Sequence, residues 1–442
     1  MRRQQPTTRP GELHDGQALA VSSADRAARH PLHYVNGTLH VEAVSLEELA
    51  ARCGTPCYVY SRAAIETAYL DFVAALAPLS AHVCYAVKAN HNLAVLALLA
   101  RLGAHFDIVS GGELERVLRA GGRAADVVFS GVGKTPAEIS QALGAGIGCF
   151  NIESGAELLA IEQAARERNI RAPLAVRVNP DVDAQTHPHI STGLKENKFG
   201  IPIAAAAEVC ARIAASPHLS LRGVACHIGS QITSMGPLLE AYGSVLDLVD
   251  RLRDQGIDVA HVDLGGGLGV RYRDENPIDL ADWGGAINRL VGGRRLTVHV
   301  EPGRRIVAAA GTLLTRTLYV KAQDNARFAI VDAAMNDLLR PALYDAWHDV
   351  LPVTECAPAT DAIDIVGPVC ESADVLARAR LLALAPGTLL AIADAGAYGF
   401  VMSSNYNARP RAAEVLVDAH SYGVVRRRET LDDQLALERI WP

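Results

Sequence analysis

The 442-residue chain has no apolar run long enough to cross a bilayer: the longest, Leu93 to Ala100, stops at Arg101. A spanning helix needs roughly 20 such residues. No secretory signal is visible either, so a cytoplasmic setting is expected. Charge excess is equally lacking. The net charge is −7 with both signs interspersed, which leaves no electrostatic footprint for nucleic acid or an anionic membrane. Eight cysteines include the close pair Cys53 and Cys57, but no second pair completes a zinc-site spacing, and no metal is expected. Cys84, Cys149 and Cys226 fall in apolar strands, where a packed, reduced thiol is the default. No dinucleotide fingerprint opens the chain. What is present is half hydrophobic and 21% charged, the composition of a globular enzyme with more than one domain.

Residues 1–30 are polar without sustained periodicity and read as a disordered tail. Residues 31–60 form an N-terminal segment whose strand near Cys57 to Tyr60 is expected to join a distant β domain. From 61 to 310, apolar strands at 82–87, 106–109, 127–130, 149–152, 174–178, 223–227, 260–264 and 297–300 alternate with helical segments rich in Ala, Leu and Glu. Eight such units predict an α/β fold, a TIM-like (β/α)8 barrel, with a doubly wound sheet as runner-up. After about 310 the helices fade. Strands at 311–319, 328–332, 362–366 and 389–393 predict a second, mainly β domain over 311–442.

Catalytic groups of such barrels gather at the carboxyl ends of the strands. Lys88 ends the first strand, where burial is expected to lower its pKa and leave a neutral amine suited to Schiff-base chemistry. On the same rim fall Ser110-Gly111-Gly112, His227-Ile228-Gly229-Ser230, Gly265-Gly266-Gly267 and Glu301-Pro302-Gly303-Arg304. Taken singly these have plain readings: a tight turn, a structural ion pair, a core histidine. Together they meet one need. A lysine for an aldehyde, a glycine loop for a phosphate and a carboxylate for a ring nitrogen describe a pyridoxal 5'-phosphate site.

Ten ordered motifs then carry a resemblance. They are YAVKAN, FDIVSGGEL, SGVGKT, HISTGLKENKFG, HIGSQ, VDLGGGLG, EPGR, MNDLLRPALY, GPVCESAD and GAYGFVMSSNYNARP, spread over about residues 33–425. The chain resembles the diaminopimelate decarboxylases of the alanine-racemase-like barrel class. The resemblance implies that Lys88 holds the cofactor as a Schiff base and that His227 stacks on its ring. It implies that Ser230, Gly265, Gly266, Gly267 and the Pro302-Gly303-Arg304 turn hold the phosphate, that Glu301 faces the ring nitrogen, and that Tyr398 lies near phosphate and substrate. Arg304, Arg340 and Tyr344 would surround the distal carboxylate of meso-diaminopimelate, with Glu371 near its distal amino group. Cys370 would protonate Cα. It and Glu371 would reach the site from a partner subunit, making the active unit a homodimer, and the reaction would yield L-lysine and CO2 from the D-configured centre. Rival readings are a decarboxylase of ornithine, lysine, arginine or a carboxylated polyamine, a racemase, and a non-catalytic homologue. Arg340 and Arg304 favour a substrate with a carboxylated far end, and the presence of Lys88 and Cys370 argues against a dead homologue.

Overall fold

The computed structural model describes residues 31–183, 198–323 and 326–441. The expected tail at 1–30 and most of the 189–200 segment, considered as a lid, lie outside the described residues.

Eight parallel strands close into a barrel: β1 (Ala81–Ala86), β2 (His105–Ile108), β3 (Val127–Phe129), β4 (Cys149–Ile152), β5 (Ala172–Asn179), β6 (Leu219–Cys226), β7 (His261–Asp263) and β8 (Thr297–Val300). Each pairs with its sequence neighbour, and β8 returns to β1 through Val298↔Ala81 and His299↔His82. Capped helices cover the outside. Ser61, Asn92, Ser154 and Asp279 cap four of them, and Thr135 with Glu138 forms a capping box, which satisfies first-turn N–H groups that would otherwise be orphaned. Ser110-Gly111-Gly112 belongs to this set: Ser110 accepts from the Glu113 N–H and starts the helix Gly111–Arg119.

Alternation along each strand sorts the interior into layers. At the carboxyl end lie Asp107, Asn151, Asp263 and Glu301, all buried. Cys84, Val128, Cys149 and Ala175 pack together as an apolar middle. At the amino end four histidines close the floor: His82 stacks on His105 at 4.0 Å and His261 on His299 at 4.4 Å. Burial lowers these imidazoles, His105 to about 4 and His299 to about 3, with neighbouring histidines adding to the effect.

A histidine depressed in the folded state binds fewer protons there than in the unfolded chain, so its contribution to stability falls as pH drops from about 6.5 toward the folded value. Each group adds a slope of at most ~1.4 kcal/mol per pH unit in that window. His105→Gln is therefore expected to lose stability less steeply than the parent between about pH 6.5 and 4.5, as read by denaturant unfolding. Parallel pH profiles would contradict the assignment.

The second layer of structure is built on the 13-residue strand Gly311–Gln323, which pairs with Ala326–Val331, Leu389–Ile392 and Cys57–Ser61. Cys57–Ser61 also runs parallel to Ala413–Asp418, so a segment from before the barrel lies inside the β sheet. Here Cys57, Val59, Leu314, Ala391 and Val415 share one core.

Candidate active site

Lys88, His227, Ser230, Gly265, Gly266, Gly267, Glu301, Pro302, Gly303, Arg304 and Tyr398 all line one cleft at the carboxyl rim. The residues come from the ends of β1, β6, β7 and β8 and from one loop of the β domain. Backbone hydrogen bonds lock the rim together: Ala86 N–H donates to Pro302 O, Glu301 N–H to Gly265 O, and Tyr398 N–H to Ala89 O.

Lys88 Nζ lies 2.9 Å from Asp107 Oδ2. The sequence led us to expect an amine made neutral by burial, and the structure corrects this. Burial does oppose the charge, but the carboxylates of Asp107 and Glu301 outweigh it and raise Lys88 above its ordinary value. Asp107 is fully buried and its other oxygen, Oδ1, has no partner among the described residues. Glu301 is also raised, first by burial and then by Asp107 and Asp263, and it shares a hydrogen bond with Asp263. A proton held between these two buried acids avoids placing adjacent negative charges in a low dielectric.

His227 is held neutral by burial, with Arg177 and Lys88 adding to the effect. Gly266 N–H donates to its Nδ1 at 3.2 Å, so the ring carries its proton on Nε2.

The three glycines are needed by the fold itself. A Cβ at Gly265 would lie 2.3 Å from Cys226 O, at Gly266 2.0 Å from Glu301 O, and at Gly267 2.4 Å from Gly229 O. Their role is thus to press the loop against neighbouring strand ends. Gly267 lines the cleft together with Gly303 and Arg304. Among the described residues, no protein acceptor pairs with the backbone N–H groups of those three. Unpaired N–H donors on one cleft beside a buried guanidinium are suited to an anion such as phosphate. A Cβ at Gly396 would likewise meet Val307 O at 1.9 Å. That close approach positions the loop carrying Tyr398, at φ 56°, whose ring lies 4.7 Å from the Arg304 guanidinium.

Arg304 and Arg340 form a second group. Arg304 donates to Ser230 Oγ at 3.0 Å and to the Tyr272 hydroxyl at 2.9 Å, while its buried Nε has no partner among the described residues. Arg340 lies 4.3 Å over the Tyr272 ring. Burial pulls its pKa below the ordinary value. Among the described residues no carboxylate stands at ion-pair distance from either guanidinium. Tyr344 closes the short helix Arg340–Tyr344 and does not line the Lys88 cleft.

Cys370 and Glu371 are exposed and line no cleft around Lys88. Their turn is shaped by Asp374, which accepts from Met335 and Val369 N–H groups at 2.6 and 2.8 Å. Glu371 accepts from the Tyr406 hydroxyl, and Asn407 Oδ1 accepts from Cys370 N–H at 3.1 Å.

The structure also brings in residues that the sequence reading did not single out. Asp107 pairs with Lys88. Arg177, bound to Glu153 at 2.7 Å, lines a second cleft with Asn151 and Ser130, which shares Lys88, His227 and Glu301 with the first. Tyr272 and His348 stand behind the two arginines. An acid or arginine inside an apolar strand was the available signal for Asp107 and Arg177.

A lysine, a neutral imidazole, a proton-bearing acid pair and an anion cradle at the mouth of an eight-stranded barrel define a pyridoxal-phosphate enzyme, and residues 62–308 match the family described as pyridoxal-dependent decarboxylase, pyridoxal binding domain. Diaminopimelate decarboxylase of Pseudomonas aeruginosa is 58% identical over 409 residues, 92% of this chain and 99% of that protein. Two solved structures are also similar. Helicobacter pylori diaminopimelate decarboxylase complexed with L-lysine has a TM-score of 0.86 at 44% identity, covering 88% of this chain and 98% of that one. The M. jannaschii enzyme in co-complex with L-lysine has a TM-score of 0.89 at 36% identity, covering 94% and 99%. The chain belongs to the diaminopimelate decarboxylases, PLP-dependent carboxy-lyases of lysine biosynthesis.

Proposed function

We propose that the Lys88 cleft and the Arg304–Arg340 pair together decarboxylate meso-2,6-diaminopimelate at its D-centre, giving L-lysine and CO2. The observation that carries the substrate assignment is the pair of buried guanidinium groups without a carboxylate at ion-pair distance among the described residues. Two buried cations call for an anion, and a guanidinium fork binds a carboxylate bidentately.

The cleft fits pyridoxal 5'-phosphate by its unpaired N–H groups, its neutral imidazole and the orphaned Asp107 Oδ1. Bound there, the cofactor supplies an aldehyde for the substrate amine and a ring that accepts the electron pair left when CO2 departs. Lys88 would supply the amine that attaches it, with Asp107 orienting that amine. Gly265, Gly266, Gly267, Ser230, Pro302, Gly303 and Arg304 shape and line the phosphate end. His227 would offer its flat face to the ring. The Asp263–Glu301 pair would hold a proton for the ring nitrogen. Arg304, Arg340, Tyr344 and Tyr398 orient the far end of the substrate.

A proton must then reach Cα. Cys226 lines the second cleft, but burial raises its thiol well above the ordinary range. Cys370 is exposed on its own chain, and so we assign the proton to Cys370 of the partner subunit, with Glu371 of the partner subunit meeting the distal ammonium. The working unit is thus a homodimer. No helix among the described residues is long and apolar enough to cross a membrane. Eight free thiols fit a reducing cytoplasm.

The experiment is a comparison of meso-diaminopimelate, L-lysine, L-ornithine and L-arginine at equal concentration, with CO2 release measured. Diaminopimelate is expected to exceed each of the others by about a hundredfold or more, since the others leave a buried arginine without its anion. Preference for ornithine or lysine would overturn the assignment.

A further inference from the structure

We propose that His348 and Tyr272 are positioning residues that hold Arg340 and Arg304 in register to read the substrate's distal carboxylate. The inference rests on the reading that these two arginines receive that carboxylate.

His348 is fully buried. Its Nδ1 lies 2.8 Å from Ala393 O. A carbonyl only accepts, so Nδ1 carries the proton and Nε2 presents a lone pair. Arg340 Nη1 donates to that lone pair at 2.7 Å. Burial, with Arg340 alongside, lowers the imidazole to about 3 and keeps it neutral. One guanidinium nitrogen is thus fixed from behind by a rigid ring, which is itself fixed to the backbone.

Tyr272 completes the support. Its ring meets His348 edge-on at 5.5 Å, carries Arg340 over its face at 4.3 Å, and accepts from Arg304 through its hydroxyl at 2.9 Å. A single tyrosine therefore sets the spacing of two like charges whose mutual repulsion would otherwise drive them apart. A carboxylate bound between them depends on that spacing.

The test compares ligands that keep or lack the carboxylate. L-Lysine retains the substrate's distal carboxylate and amine; cadaverine lacks the carboxylate. His348→Asn keeps a donor for Ala393 O but removes the acceptor for Arg340, whereas His348→Gln offers an oxygen near the Nε2 position. For His348→Asn we expect KM for meso-diaminopimelate and Kd for L-lysine to rise about tenfold or more, with kcat changing less. Cadaverine binding should be unchanged, and His348→Gln should restore most of the loss. Tyr272→Phe, which keeps the ring and removes the hydroxyl, should weaken L-lysine by about three- to tenfold and serves as the deciding variant if His348→Asn does not fold.

Arg340→Ala separates the two levels. If it leaves L-lysine affinity unchanged, the carboxylate reading itself fails. If it weakens L-lysine while His348→Asn and Tyr272→Phe do not, the positioning role alone is overturned. Equal weakening of L-lysine and cadaverine by His348→Asn would likewise overturn it. The double variant His348→Asn/Arg340→Ala should bind L-lysine no more weakly than Arg340→Ala.

Discussion

Lys88→Ala is expected to lower decarboxylation of meso-diaminopimelate by at least about a thousandfold, because covalent catalysis loses its attaching amine. The expectation follows from position. Lys88 lies just past β1, in the short 3-10 turn Val87–Ala89, with its side chain still 35% exposed, while its partner Asp107 is fully enclosed. The amine is held from below and open toward the cleft. Lys134, another lysine on the carboxyl side of the barrel, offers no substitute. It is buried against Glu157 at 2.6 Å and also donates to Gly131 O and Asn151 O. Measured CO2 release from diaminopimelate checks the prediction; full turnover by Lys88→Ala would remove the lysine from the chemistry.

Mixing Lys88→Ala and Cys370→Ala chains is expected to restore activity that neither possesses alone. In a hybrid dimer, one of the two sites receives Lys88 from one chain and Cys370 from the other. Random exchange makes about half the dimers hybrids, so recovery should approach about a quarter of the parent activity for a two-fold symmetric pair. Cys370 and Glu371 are exposed at a turn built by Asp374 and are absent from the lining of the Lys88 clefts of their own chain. No recovery after demonstrated subunit exchange would place the proton donor elsewhere.

Much of this architecture is legible in the chain because strand and rim signals are local. The eight apolar runs between helices mark the barrel, and His227, Gly265 and Glu301 each follow directly on a run, so their common rim follows from topology. Asp107 escaped the same reading, since one acid inside Phe106-Asp107-Ile108 resembles an interrupted strand until the barrel closes around it. The charge of Lys88 is not legible for the same reason: burial is visible in the sequence, but the facing carboxylates, Asp107 and Glu301, come from other strands. Strand Val375–Leu382 is hidden in the sequence because Arg378 and Arg380 break its apolar pattern; Arg380 lies over the Trp347 ring. Tyr272 and His348 carry no local signal at all. Their meaning depends on Arg304 and Arg340 being brought to one place by the packing of the β domain on the barrel.

The most direct test is where the cofactor attaches. The chain has five lysines, at 88, 134, 195, 198 and 321. Reducing the holoenzyme with borohydride and mapping the peptides by mass spectrometry should place the phosphopyridoxyl mass on Lys88 alone. That mass on any other lysine, with Lys88 unmodified in active protein, would contradict the account.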